Sequence, residues 1–206
     1  MMVFPYENQY LGFVQMYHGA PDDMTLDIQL AYSKDGERFE RVGDREPIIP
    51  LGGIGEWDRF NTCVDGIPVE ADGKLRVYFN GAVFRHLKVT GSSEYNGLDS
   101  DERIVRIGVG EFDHDRFAAA QASFSGGELV TVPMTTNCSD LVLNAECRFG
   151  EIHITFENEN HSDRFVLKSD SGNVCVRIPE WAKSEMFCIR FRLRNAKLYS
   201  FRGNGD

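Results

Sequence analysis

No stretch of this sequence carries a long amphipathic helical period. What recurs instead are short runs rich in aromatic and β-branched residues, each closed by Gly, Asp, Asn or Pro. That is the pattern of strands joined by tight turns, and it restricts the chain to an all-β fold. Tyr10 to His18 (YLGFVQMYH) is an apolar, aromatic-rich run, as expected for a buried strand. Leu26 to Ser33 (LDIQLAYS) alternates apolar and polar residues, as a half-buried strand does. Lys34-Asp35-Gly36-Glu37 then supplies a hairpin turn, with Gly available for positive φ, and Phe39 to Val42 returns.

A second group of strands follows. Thr62 to Val69 reads as a strand broken by Gly66 and Pro68. Leu75 to Asn80 (LRVYFN), entered through the turn Ala71-Asp72-Gly73-Lys74, is the firmest strand of this region. Arg85 to Glu102 is polar, with Gly91-Ser92-Ser93 and Asn96-Gly97, and reads as a long mobile loop. Ile104 to Phe112 is again a strand. Near Ala118 the rhythm changes. Glu128 to Thr135, Asp140 to Glu146, Glu151 to Glu157, Asn173 to Ile178, Met186 to Leu193 and Lys197 to Phe201 are short strands at regular spacing. That spacing points to a β-sandwich of jelly-roll type. Pro179 to Lys183 has room for one helical turn. In the closing stretch Phe191, Leu193 and Leu198 point inward. Arg190, Arg192, Arg194 and Arg202 point outward as a solvated face paired with nearby carboxylates. The expected organisation is therefore residues 1–117 as propeller-like blades and 118–206 as a sandwich.

Several function classes are excluded. The net charge is −10, which argues against binding nucleic acid, since that needs clustered Lys and Arg to neutralise phosphates. No apolar run approaches the roughly 20 residues that span a bilayer, so no membrane role is expected. The opening MMVFPYENQY has neither a basic segment nor a long apolar one, so the chain as it stands is expected in the cytoplasm; it would be secreted or periplasmic if an upstream signal had been removed. The five cysteines, at 63, 138, 147, 175 and 188, form no CxxC pair and fit reduced, mostly buried thiols. The five His are scattered, and Asp22-Asp23 and Asp113/Asp115 lack calcium-loop spacing. GGIGEW lacks the Lys-Ser/Thr of a phosphate loop. No metal and no cofactor are expected.

Four stretches, in this order, carry a resemblance: LAYSKDGERFERVGDREPIIPLG (30–52), DGKLRVYFNGA (72–82), IGVGEFDHDRFAAAQAS (107–123) and IRFRLRNAKLYSF (189–201). Together they resemble the C-terminal portion of bacterial proteins related to the invertase and arabinanase-like glycoside hydrolases. Those proteins carry a five-bladed β-propeller followed by a β-sandwich. The resemblance implies partial propeller blades followed by a jelly-roll-like sandwich, and a carbohydrate ligand. A blade takes roughly 40–50 residues, so the stretch up to Phe117 holds two to three blades. The aspartates that this family keeps in its early blades have no counterpart here. The expectation is a fragment or short form that lacks the full catalytic set. Its open strand edges would favour a homo-oligomer.

Candidate site residues cluster between Asp44 and Gly81. Glycoside hydrolysis uses two carboxyl groups roughly 5 Å apart in retaining enzymes and roughly 6.5–9.5 Å apart in inverting ones. Glu56, Asp58 and Asp65 form the cluster near a strand start that could supply them, and Trp57 or Phe60 could stack on a sugar face. The alternative is structural: Glu56 and Asp58 cap a turn, Trp57 packs, and Asp65 satisfies backbone N–H groups. His18 and Tyr17 end an apolar strand where a propeller funnel would lie; a ligand contact and a hydrogen-bonded structural role both remain open. Asp44-Arg45-Glu46 reads as a clamp between blades. Two functions follow, a carbohydrate-active enzyme and a non-catalytic carbohydrate-binding or structural module.

Overall fold

The computed structural model describes residues 1–19, 23–86 and 105–205. The loop expected over Arg85–Glu102 and the turn at Pro21-Asp22-Asp23 fall largely outside the described residues. The chain is all-β, with one short 3-10 helix at Glu180–Lys183 among the described residues. It divides into two compact units, Met1–Phe117 and Ala118–Asp206.

In the first unit, β1 (Met2–Tyr6), β2 (Gln9–His18) and β3 (Thr25–Ser33) form an antiparallel meander. The short β4 (Glu40–Arg41) and β5 (Pro47–Ile49) both pair with β3. The β3–β4 turn is fixed by side chains. Asp35 accepts hydrogen bonds from the N–H groups of Glu37 and Arg38, each at 2.9 Å, and Gly36 takes a φ of +79°. A second meander follows. β6 (Asn61–Val64) and β7 (Val69–Ala71) lie in line along one edge of β8 (Lys74–Ala82), and β9 (Arg106–Phe112) lies along the other. Gly66 and Pro68 sit in the gap between β6 and β7, where Pro has no N–H to give the ladder. One parallel bridge, Leu26 opposite Asn61, links the two meanders.

Both meanders contribute to one core. Phe13 and Ile28 come from the first, and Val64 and Val77 from the second, all essentially inaccessible. Phe117 joins it at the end of the unit, with its ring 5.1 Å from Phe112, 5.4 Å from Tyr6, 6.2 Å from Phe4 and 6.3 Å from Phe13. Each such pair contributes about 0.5–1.5 kcal/mol beyond its area burial. The expectation of a half-buried β3 needs correcting. Ile28 and Leu30 face the core, yet Asp27 and Gln29 on the opposite face are also buried. Their burial is tolerable because each is hydrogen-bonded.

The second unit runs β10 (Ala120–Ala122), β11 (Gly127–Val130), β12 (Asp140–Glu146), β13 (Glu151–Glu157), β14 (Ser162–Leu167), β15 (Ser171–Arg177), β16 (Cys188–Arg194) and β17 (Ala196–Asn204). They form two four-stranded sheets, in the orders β10-β17-β12-β15 and β11-β16-β13-β14. A single hydrophobic core draws on both sheets: Leu141, Leu143 and Leu198 from one, Ile152, Ile154, Phe156 and Phe191 from the other. The unit is thus sandwich-like. Strand β13 shows why: EIHITFE buries Ile152, Ile154 and Phe156 and turns its polar residues away. Burying each of those side chains contributes about 1.5–3 kcal/mol. On β16, Arg190 pairs with Glu128 and Glu157, and Arg192 with Glu128. Strand β11 stops at Val130, well short of Thr135; beyond it Thr131 N–H donates to Ile189 O at 3.0 Å, and the bridge Met134–Phe187 continues the pairing past Pro133, which has no N–H to give. All five cysteines are free. Burial pushes the Cys147 thiol up, whereas Cys175 is exposed rather than buried.

Candidate functional site

The loop between β5 and β6 carries the first group of candidate residues. Its ends are tied, with Gly52 N–H donating to Asp58 O at 3.3 Å and Glu56 N–H to Gly53 O at 3.1 Å. A Cβ at Gly52 would lie 2.0 Å from Asp58 Oδ1 and 2.7 Å from the Glu56 Cβ. The loop therefore brings Glu56 and Asp58 together against a residue that has no side chain. Glu56 is exposed and Asp58 half-buried. Trp57 lies flat on Phe79, with ring centroids 5.7 Å apart and planes at 16°. It also covers two glycines, since a Cβ would meet it at 2.7 Å from Gly81 and 2.9 Å from Gly108. Asp65 sits in the break between β6 and β7 and accepts a hydrogen bond from Asn80. Asp58 packs beside Gly81 and Asp65 binds Asn80. Adjacent residues of a strand face opposite ways, so Asp65 is held on the other side of β8 from Asp58. Phe60 lies under two guanidinium groups, Arg59 at 4.6 Å and Arg85 at 4.9 Å.

His18 ends β2, and its Nε2 is 2.7 Å from Asp27 Oδ2. The other Asp27 oxygen accepts from Gln29 Nε2 at 3.2 Å, and Gln29 Oε1 accepts from Arg41 at 3.0 Å. This chain of contacts runs along the face of β3 opposite the core. Close by, the Thr25 hydroxyl holds the Asp23 carboxyl below the usual carboxylate range. Tyr17 points to the other side of β2 and meets His86 edge-on at 5.4 Å. His18 and Tyr17 are neighbours in sequence but do not share a surface.

A third location lies in the second unit. A cleft of about 200 Å³ opens there, lined by Gln121, Glu146, Arg148, Phe149, Asn195 and Lys197 together with two alanines. Its floor is a row across three strands. Gln121 on β10 is opposite Lys197 on β17, which is opposite Glu146 on β12. Glu146 Oε2 accepts from the Tyr199 hydroxyl at 2.9 Å and lies 3.6 Å from Lys197 Nζ. Its rim is made by two turns. One is Cys147-Arg148-Phe149-Gly150, between β12 and β13, closed by Gly150 N–H donating to Cys147 O at 3.0 Å. The other holds Asn195 at a φ of +46°, a conformation that Asn adopts more readily than most residues. The turns are locked together: Asn195 Nδ2 donates to Phe149 O at 3.1 Å, and a Cβ on Gly150 would stand 2.1 Å from Arg194 O. Phe149 stays 76% exposed at this rim, with the Arg148 guanidinium 5.5 Å from its ring centre.

None of the cleft residues is among those the sequence singles out. The usable signal is Phe149 itself, a large aromatic at a turn tip where polar residues are usual. Among the described residues no three His, Cys, Asp or Glu stand together in a way that could hold a metal ion. Nor is any described helix long and apolar enough to cross a membrane. Comparison of the chain with protein-family models, with curated proteins and with solved structures finds no match.

Proposed function

We propose that this chain is a carbohydrate-binding protein whose sugar site is the cleft of the second unit. The observation that carries this reading is Phe149. An exposed ring at the rim of a polar cleft offers an apolar face to the C–H face of a sugar. Gln121, Glu146 and Asn195 offer the mixed donors and acceptors that hydroxyl groups need. The cleft is smaller than the roughly 300–1,000 Å³ of drug-sized pockets, which fits one sugar residue rather than a long enclosed chain. The scaffold supports the same reading. Strand order β10-β17-β12-β15 against β11-β16-β13-β14 fits an eight-stranded jelly roll, a fold common to lectin-like domains. The meanders β1-β2-β3-β4 and β6/β7-β8-β9 fit two blades of a propeller, in keeping with a relationship to propeller glycoside hydrolases. Calorimetric titration with a panel of oligosaccharides tests the proposal. Binding by the intact chain that Phe149→Ala abolishes supports it; binding that survives Phe149→Ala places the sugar elsewhere.

A second reading has a specific observation in its favour. Glu56 and Asp58 share one loop against Gly52, so an acid–base pair acting on a glycosidic bond could be assembled there, with Asp65 further off. Aryl glycosides test it. Turnover lost in Asp58→Asn or Glu56→Gln supports an enzyme, and no turnover by the intact chain removes that reading.

A further inference from the structure

The cleft contains a cation that no carboxylate among the described residues neutralises. Among the described residues Arg148 makes no ion pair, and its guanidinium rests over Phe149 instead. The other cation of the cleft, Lys197, lies 3.6 Å from Glu146. Two arginines of the neighbouring β16 are also taken, Arg190 by Glu128 and Glu157 and Arg192 by Glu128. Arg148 is thus left with its planar fork of donors at the mouth of a pocket whose floor is already charge-balanced. A guanidinium in that situation matches a carboxylate in two parallel hydrogen bonds.

We infer that the ligand is an acidic sugar, a uronic acid residue of a polysaccharide, with its carboxylate on Arg148 and its ring on Phe149. This rests on the sugar-binding reading of the cleft and sharpens it to one chemical class. The geometry favours a sugar acid over a bare anion for two reasons. A phosphate or simple carboxylate makes no use of an exposed ring beside the cation. The floor, where Glu146 is paired with Lys197 and accepts from Tyr199, also has no net charge to hold an anion that filled the whole cleft, whereas a sugar presents hydroxyl groups there and its charge only at the rim.

The test uses the intact chain with oligogalacturonate, oligoglucuronate and the carboxyl-reduced, neutral form of each. Affinities are measured by calorimetry at low and at high salt. The expected result is a preference for the acidic form of about tenfold at low salt, since charge-assisted pairs are roughly twice as strong as neutral ones. That preference narrows with salt because the pair is exposed. Arg148→Gln removes the preference for the acidic form, whereas Phe149→Ala weakens both forms. Equal binding of acidic and neutral forms, or a preference that survives Arg148→Gln, overturns the inference while leaving the sugar site intact. Binding of neither form overturns both. Circular dichroism of the two variants separates lost binding from lost folding.

Discussion

Tyr6 and Asp115, 109 positions apart, exchange two hydrogen bonds: the phenol donates to Asp115 Oδ1 at 2.9 Å and accepts from the Asp115 N–H at 2.8 Å. With the Phe117 ring edge-on to Tyr6, they fasten the last turn of the first unit to its first strand. Burial pushes the Tyr6 phenol up from 10.0 to about 12. The protonated form is therefore the one the fold favours. Its contribution is fully present below pH 10, the unfolded value, and is lost as pH rises through about 12. Tyr6→Phe should cost about 1–2 kcal/mol at neutral pH, the worth of the bonds removed and of the Asp115 groups left unpaired. It should also flatten the fall in stability between pH 10 and 12. Urea denaturation across that range checks both.

The seat of Trp57 makes a sharper steric prediction. A Cβ at Gly108 would lie 2.6 Å from the Phe79 ring and 2.9 Å from Trp57, whereas at Gly110 the nearest atom is 3.5 Å away. Gly108→Ala should therefore destabilise by about 1–3 kcal/mol, through overpacking, and Gly110→Ala much less. Trp57 emission in a Trp181→Phe background should shift only for the first.

What was legible in the sequence depended on whether one strand carried its own contrast. EIHITFE could be bounded because its inward and outward residues differ in kind. Strand β1 escaped because it is short and contains Pro5, which is tolerable where β1, among the described strands, pairs with β2 alone. Strand β14 (SDRFVL) escaped because it is mostly exposed and carries no alternation of apolar and polar residues. The burial of Asp27 and Gln29 was hidden for the opposite reason: polar residues in alternation signal an exposed face unless their partners are known. Of the cleft, only Phe149 left a signal, as an aromatic at a turn tip. Gln121, Lys197 and Glu146 form a row only through the register of three strands, and single-strand patterns carry no cross-strand register.

The buried contacts of Asp27 should show in stability. Asp27→Ala leaves His18 without its carboxylate and Gln29 Nε2 without an acceptor. The expected cost is about 2–4 kcal/mol, above that of an ordinary neutral hydrogen bond. His18→Ala, at a half-exposed position, should cost less, and thermal unfolding of the two variants ranks them.

Phe149 should behave in the reverse way. An exposed rim residue contributes little to folding, so Phe149→Ala should change stability by no more than about 0.5 kcal/mol. Gly150→Ala, driven into the carbonyls of Arg194 and Asn195, should destabilise the second unit clearly. Guanidinium titrations of both variants test the contrast.

Among the described strands β9 pairs with β8 alone, and it carries Ile107 and Val109 at 79% and 50% exposure. We propose that the edge recruits a second copy of the chain. Ile107→Lys should then lower concentration-dependent association in sedimentation velocity and leave the unfolding midpoint nearly unchanged. A monomer at all concentrations would remove the idea.

The strand order of the second unit also sets a schedule for the ribosome. β10 pairs with β17, and β11 with β16, so the first two strands made are held by the last two. Until β16 and β17 emerge, β12 and β13 offer their apolar faces to water beside unpaired backbone. The first unit has all of its own strands by Phe117 and can close while its successor is still being translated. The interval between the synthesis of β13 and that of β17 is when nascent chains are most open to chaperones and to one another, and translational pausing there would prolong it.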